Sequence, residues 1–179
     1  RDKHEHGREH GIMNQQQYEK SIDEVAALGA QKVVLTGFGE PMNAARTIQI
    51  MDEMGIAGCH IEDQENPKRC GHLDNKSVLP GADVIKKIKA AAKAKRDKNF
   101  ILIARTDSRA AEGLEKSIDR AKAYVDAGAD MIFPEAMQDE KEFEAMRKGV
   151  RVPLLANMTE FGKSKLLTAA QLEKLGYNV

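Results

Sequence analysis

The sequence has no excess charge of either sign: 28 Lys and Arg balance 28 Asp and Glu. That balance removes the electrostatic case for nucleic acid or a membrane surface as partner. No apolar run comes near the roughly 18 residues a membrane span needs. The chain opens on charged residues with neither an initiator Met nor a signal-peptide pattern, so a processed or excised piece is expected. Aromatic residues are scarce, at 4% with no Trp. Cysteine is limited to Cys59, in an apolar strand-like run, and Cys70, in a polar loop. A disulfide between them is not expected, and two scattered thiols fit a reducing cytosol. His4, His6 and His10 stand close together at the start, where a solvated terminus over residues 1–14 is a better reading than a metal clip.

What is present is an internal repeat. "VAALGAQKVVL", "MDEMGIAGCHI" and "YVDAGADMIFP" each run from helix-like residues through a Gly into a short apolar strand. Gly29, Gly55 and Gly128 fall where a helix ends in the left-handed conformation, and "LEKLGYNV" begins a fourth copy. The helices carry apolar faces at Tyr18, Ile22 and Val25, then Val84, Ile88 and Ala91, then Ile118, Ala121 and Val125. The strands "KVVLT", "AGCHI", "FILIAR", "MIFPE" and "VPLLAN" are continuous apolar runs, as in a parallel sheet buried on both faces. The 179 residues make one α/β domain, of barrel or open doubly wound type.

Polar residues recur where each strand stops: "GFGEP", "EDQ", "RTD", "PEA" and "NMTEF". In a barrel of parallel strands those ends converge on one face, where the chemistry sits. Glu62, Arg105, Glu135 and Asn157 are thus expected to form an active-site ring, and the barrel is favoured. A complete eight-unit barrel takes about 250 residues, so about five to six βα units of a (β/α)8 TIM-type barrel are expected here.

From Gly37 onward the sequence resembles the isocitrate lyase and phosphoenolpyruvate mutase superfamily, most nearly its bacterial methylisocitrate lyase branch. The resemblance is carried by "GFGEPMNAART" (37–47), "HIEDQ" (60–64), "KRCGH" (68–72), "ARTD" (104–107), "FPEA" (133–136) and "ANMTEFG" (156–162). It implies a (β/α)8 barrel, a bound Mg2+ with Glu62 among its ligands, and cleavage of the tricarboxylate 2-methylisocitrate to pyruvate and succinate. It further implies that Cys70 is the catalytic acid or base, and that Arg105 clamps a substrate carboxylate. Gly71, His72, Glu135, Asn157 and Thr159 would line the substrate, with His72 and Glu135 also in catalytic positions. Cationic neighbours Lys68, Arg69 and His72 would favour the Cys70 thiolate. Residues 60–76 then read as a metal ligand followed by a mobile catalytic lid, with His60, Asp63 and Gln64 as supporting shell.

The family writes DADTGFG where this chain has "VVLTGFG", so Val33 and Leu35 replace two carboxylates that reach the metal. Residues 1–36 do not match the family; "ALGAQKVVLTGFGEP" is similar instead to the GGEP-type turn of radical S-adenosylmethionine enzymes, without their cysteine triplet. Two readings follow: a cytoplasmic, Mg2+-dependent carbon–carbon lyase, or a fragment or chimera that keeps most of the catalytic groups without competent metal binding. A third is another acid-cleaving or phosphonate-handling branch of the superfamily. Incomplete parallel sheets expose edges, so self-association is expected.

Overall fold

In the computed structural model the structure describes residues 34, 35, 37 and 39–179. Expectations for Tyr18, Ile22, Val25, Gly29, Val33 and the histidine-bearing segment 1–14 lie outside these residues. Four strands pair in parallel in chain order: β1 (Val34–Leu35), β2 (Gly58–Glu62), β3 (Ile101–Thr106) and β4 (Met131–Pro134). Helices α1 (Pro41–Glu53) and α2 (Gly81–Ala94) follow β1 and β2 and pack on one another. After β3 come the short α3 (Ser108–Glu112) and α4 (Leu114–Asp126); α5 (Glu140–Gly149) follows β4, and α6 (Ala169–Lys174) comes last. A doubly wound sheet reverses its strand order at a switch point. Among the described residues this sheet does not, as in an arc of a barrel.

The expectation of strands buried on both faces holds, because β3 and β4 are buried along their whole length. Side chains still alternate between the faces. Cys59, Ile61, Leu102, Ala104 and Ile132 join Val84, Ile88, Ala91 and Ala121 in the main core beneath the helices, while Ile101, Ile103, Met131 and Phe133 form a second cluster on the other face. On α4 the fully buried positions are Ser117, Ala121 and Tyr124, so the expected stripe of Ile118 and Val125 flanks the contact and does not centre it.

The repeated Gly does what its position implied. Gly55, Gly128 and Gly176 have φ of 73°, 107° and 81°. In each copy the Gly N–H donates three residues back and the next N–H donates five back, for instance Gly128 to Val125 and Ala129 to Tyr124. That paired closure satisfies two carbonyls a helix end would otherwise leave open.

One expected strand is reduced. "VPLLAN" contributes a parallel bridge between Ile132 and Leu154, not a full strand. Pro153 has no N–H to give; its carbonyl accepts from Ile132, and only Leu155 returns a bond to Ile132. Asn178 and Val179 then donate to the Leu154 carbonyl, and Ala156 donates to Val179, which starts the next rung. Among the described residues no helix is long and apolar enough to cross a membrane.

Candidate active site

Strand register assembles the rim. Glu62 is paired with Arg105, and Arg105 in turn with Phe133, so alternation sends Glu62, Arg105 and, two residues past Phe133, Glu135 to the same inner face. The Arg105 guanidinium carbon lies 4.9 Å above the centre of the Phe133 ring, a stacking that Lys would reproduce poorly. Its Nε and Nη2 donate to Asp107 at 2.8 and 3.1 Å, its Nη1 is 3.1 Å from Glu135, and Nε is 3.4 Å from Glu62.

Burial opposes ionisation of Asp107, but the Arg105 hydrogen bonds and charge, with Lys76 behind them, outweigh it and hold the carboxyl below its usual range. Glu62 goes the other way: burial pushes it above the usual range despite Lys68 and Arg105. Burial likewise raises Asp63, although it accepts from Thr106 Oγ1 at 2.7 Å, the Asp107 N–H at 2.8 Å and Tyr124 OH at 2.9 Å. Asp63 points to the helix side and pins the turn after β3, a supporting part as expected. His60 stays inside the barrel arc, edge-on to Phe133 at 5.6 Å.

Residues 63–79 return on themselves, closed at the base by an antiparallel bridge between Gln64 and Val78. Gln64 braces the loop by donating to the Arg69 carbonyl at 2.9 Å and accepting from the Arg69 N–H at 2.8 Å. Lys76, with only 1% of its side chain exposed, donates to the Gly71 carbonyl and lies 3.4 Å from Asp107. His72 Nδ1 accepts from the Lys163 N–H at 2.9 Å, so a neutral ring carries its proton on Nε2. That Nε2 is 2.9 Å from Glu135, close but off the line of a good hydrogen bond. Asn157 donates to both Glu135 oxygens at 3.4 and 3.5 Å. Gly71 packs so tightly that an added Cβ would sit 2.3 Å from Glu135 Cγ and 2.6 Å from Arg105 Nη2.

The result is a cleft of about 260 Å3 lined by Lys68, Arg69, Cys70, Gly71, His72, Arg105, Glu135, Asn157 and Thr159. Cys70 is exposed there as a free thiol; Cys59 is a free thiol too, but buried, with burial pushing it up to about 12. Of the residues assigned catalytic, substrate or metal positions from sequence, Glu62 alone is missing from the lining. It is buried behind Lys68, whose Nζ lies 2.9 Å from each carboxylate oxygen. Two groups escaped sequence reasoning: Lys76 and Asp107, which tie the loop to the Arg105 platform. The only signal was the acid at the end of "ARTD".

The profile of the phosphoenolpyruvate phosphomutase family matches residues 34–179. The chain belongs to that family. With it comes membership of the isocitrate lyase and phosphoenolpyruvate mutase superfamily of TIM-barrel enzymes. A probable 2-methylisocitrate lyase 2 of Corynebacterium glutamicum is 57% identical over 143 residues, covering 80% of this chain and 47% of that protein. The fold is similar to an oxaloacetate acetylhydrolase solved with 3,3-difluorooxalacetate, at a TM-score of 0.78 and 34% identity over 93% of this chain and 59% of that one. A 2,3-dimethylmalate lyase matches with a TM-score of 0.78 and 31% identity, covering 93% of this chain and 58% of its own. The chain therefore spans about half the length of the curated relatives it matches.

Among the described residues no group of three or more His, Cys, Asp or Glu side chains is arranged to hold a metal ion. Glu62 has the hard oxygens Mg2+ prefers, yet Lys68 already spans both. Residues 33 and 35 are Val and Leu, so the side chains at the family's two acid positions offer no oxygen. The described residues, with Val33 and Leu35 beside them in sequence, do not fit a Mg2+ centre.

Proposed function

We propose that this site serves a carbon–carbon lyase reaction of the 2-methylisocitrate type, releasing pyruvate and succinate from a 2-hydroxy tricarboxylate. The observation that carries the reading is the convergence of an exposed thiol, Cys70, with Arg105, His72 and Glu135 around one cleft. The 57% identity to a probable 2-methylisocitrate lyase supports the substrate class.

The reaction asks the site to hold carboxylates and to give carbon a proton as the electron pair collects on the departing succinate. Arg105 offers a planar fork matched to a carboxylate, held in place by Asp107 and Phe133. As the carbon–carbon bond breaks, Glu135 takes the substrate hydroxyl proton while that oxygen becomes the pyruvate carbonyl, and Cys70 gives a proton to the succinate carbon that receives the electron pair; condensation reverses both transfers. Asn157 donates to the Glu135 carboxylate, His72 stands beside it, and Thr159 completes the wall. No step here runs through Mg2+, because the side chains do not fit it.

A second reading, ligand binding without turnover, is favoured by one specific feature: the family's acid pair is Val33 and Leu35. The two separate in an assay of pyruvate release from 2-methylisocitrate with Mg2+ supplied. Pyruvate that disappears in Cys70→Ser supports the lyase. Succinate binding with no pyruvate supports the second reading.

A further inference from the structure

The cleft is cationic, as a site for carboxylates requires. Its charged lining is Lys68, Arg69 and Arg105 against the single acid Glu135, and His72 carries its proton on Nε2 even when neutral. Glu62 contributes nothing to the lining, because Lys68 stands in front of it at 2.9 Å. Lys68 keeps 36% of its side chain exposed while Glu62 keeps none. The groups facing Glu62 are Lys68, Arg105 and Asp107, two cations against one acid.

We propose that this site takes its dicarboxylate ligand without a divalent cation, with the Lys68 ammonium standing beside Glu62 where the metal's charge would act. The inference rests on the substrate class proposed above. A Mg2+ brought to Glu62 would have to displace an ammonium already 2.9 Å from both oxygens, with Val33 and Leu35 giving it no side-chain oxygen in return. Lys68 also lines the cleft. One carboxylate of a ligand such as succinate can rest between Lys68 and Arg69, and the other on Arg105. A four-carbon diacid fits within a cleft of about 260 Å3.

The test is calorimetric titration of the chain with succinate, once in EDTA and once with excess Mg2+, for the wild type and Lys68→Gln. Gln keeps the length and a donor at position 68, and circular dichroism verifies that the variant folds before it is titrated. The expected result is succinate affinity equal within about twofold in the two buffers, and weakened about tenfold or more in Lys68→Gln, where one close charge contact is lost. Tenfold tighter binding with Mg2+ than with EDTA overturns the inference and leaves the lyase reading standing. Unchanged affinity in Lys68→Gln overturns it as well. No binding in either buffer sinks both this inference and the substrate class on which it rests.

Discussion

At the scale of single residues, the site depends on close approach and on charge balance. Gly71→Ala places a methyl group within 2.3 Å of Glu135 and 2.6 Å of Arg105, so the loop bearing Cys70 has to lift away. Succinate affinity should fall about tenfold or more, while Gly81→Ala, whose Cβ meets nothing nearer than 3.8 Å, should leave it unchanged; calorimetry distinguishes them.

The buried acids make opposite pH predictions. Asp107 has a depressed pKa, so its stabilising effect is present above the ordinary value of 3.8 and is lost as pH falls through the lower folded value. Asp63 has a raised pKa, so its contribution is intact below 3.8 and is lost as pH rises through the higher folded value. Urea midpoints of Asp107→Asn should therefore fall less steeply than wild type below about pH 4. Asp63→Asn should lose less than wild type above it, with Glu62 titrating in the Asp63 sense in both proteins.

What could be read from sequence at this scale was residue type: Cys70, Arg105 and Glu135 come from strand ends and a loop too polar for a core. The Lys68 pairing with Glu62 could not, because it depends on the chain folding back six residues later. Nor could Lys76, whose partner Asp107 is 31 positions away.

At the scale of elements, the helix–Gly–strand unit is the part the sequence displayed most openly. Glycine at a fixed place between two apolar patterns has a local cause, the left-handed turn, and needs no distant partner to be recognised. The structure adds that the copies differ in crowding. A Cβ on Gly128 would sit 2.8 Å from Ala92 Cβ at φ 107°, whereas Gly55, at φ 73°, has nothing within 4 Å. Gly55→Ala should cost about 1 kcal/mol from backbone strain alone, and Gly128→Ala clearly more, about 2–4 kcal/mol once crowding is added. Equilibrium urea unfolding of the two variants measures the gap. The weak fifth strand was less legible, since an apolar run does not reveal how many rungs a proline will remove.

At the scale of the whole molecule, parallel strands laid down in chain order bring residues from positions 62 to 157 onto one rim. The barrel arc followed from alternating patterns and strand-end polarity; the metal expectation came from the family resemblance alone, and Val33 and Leu35 at the family's two acid positions already argued against it in the sequence. The proposed lyase chemistry requires the loop thiol and the Arg105 platform to share one carboxylate site. With Cys59 buried and Cys70 exposed, alkylation by a bulky thiol reagent reads Cys70 alone. Saturating succinate should slow that labelling several-fold, while chloride at matched ionic strength leaves it unchanged. Labelling at the same rate with and without succinate would mean that Cys70 lies outside the carboxylate site.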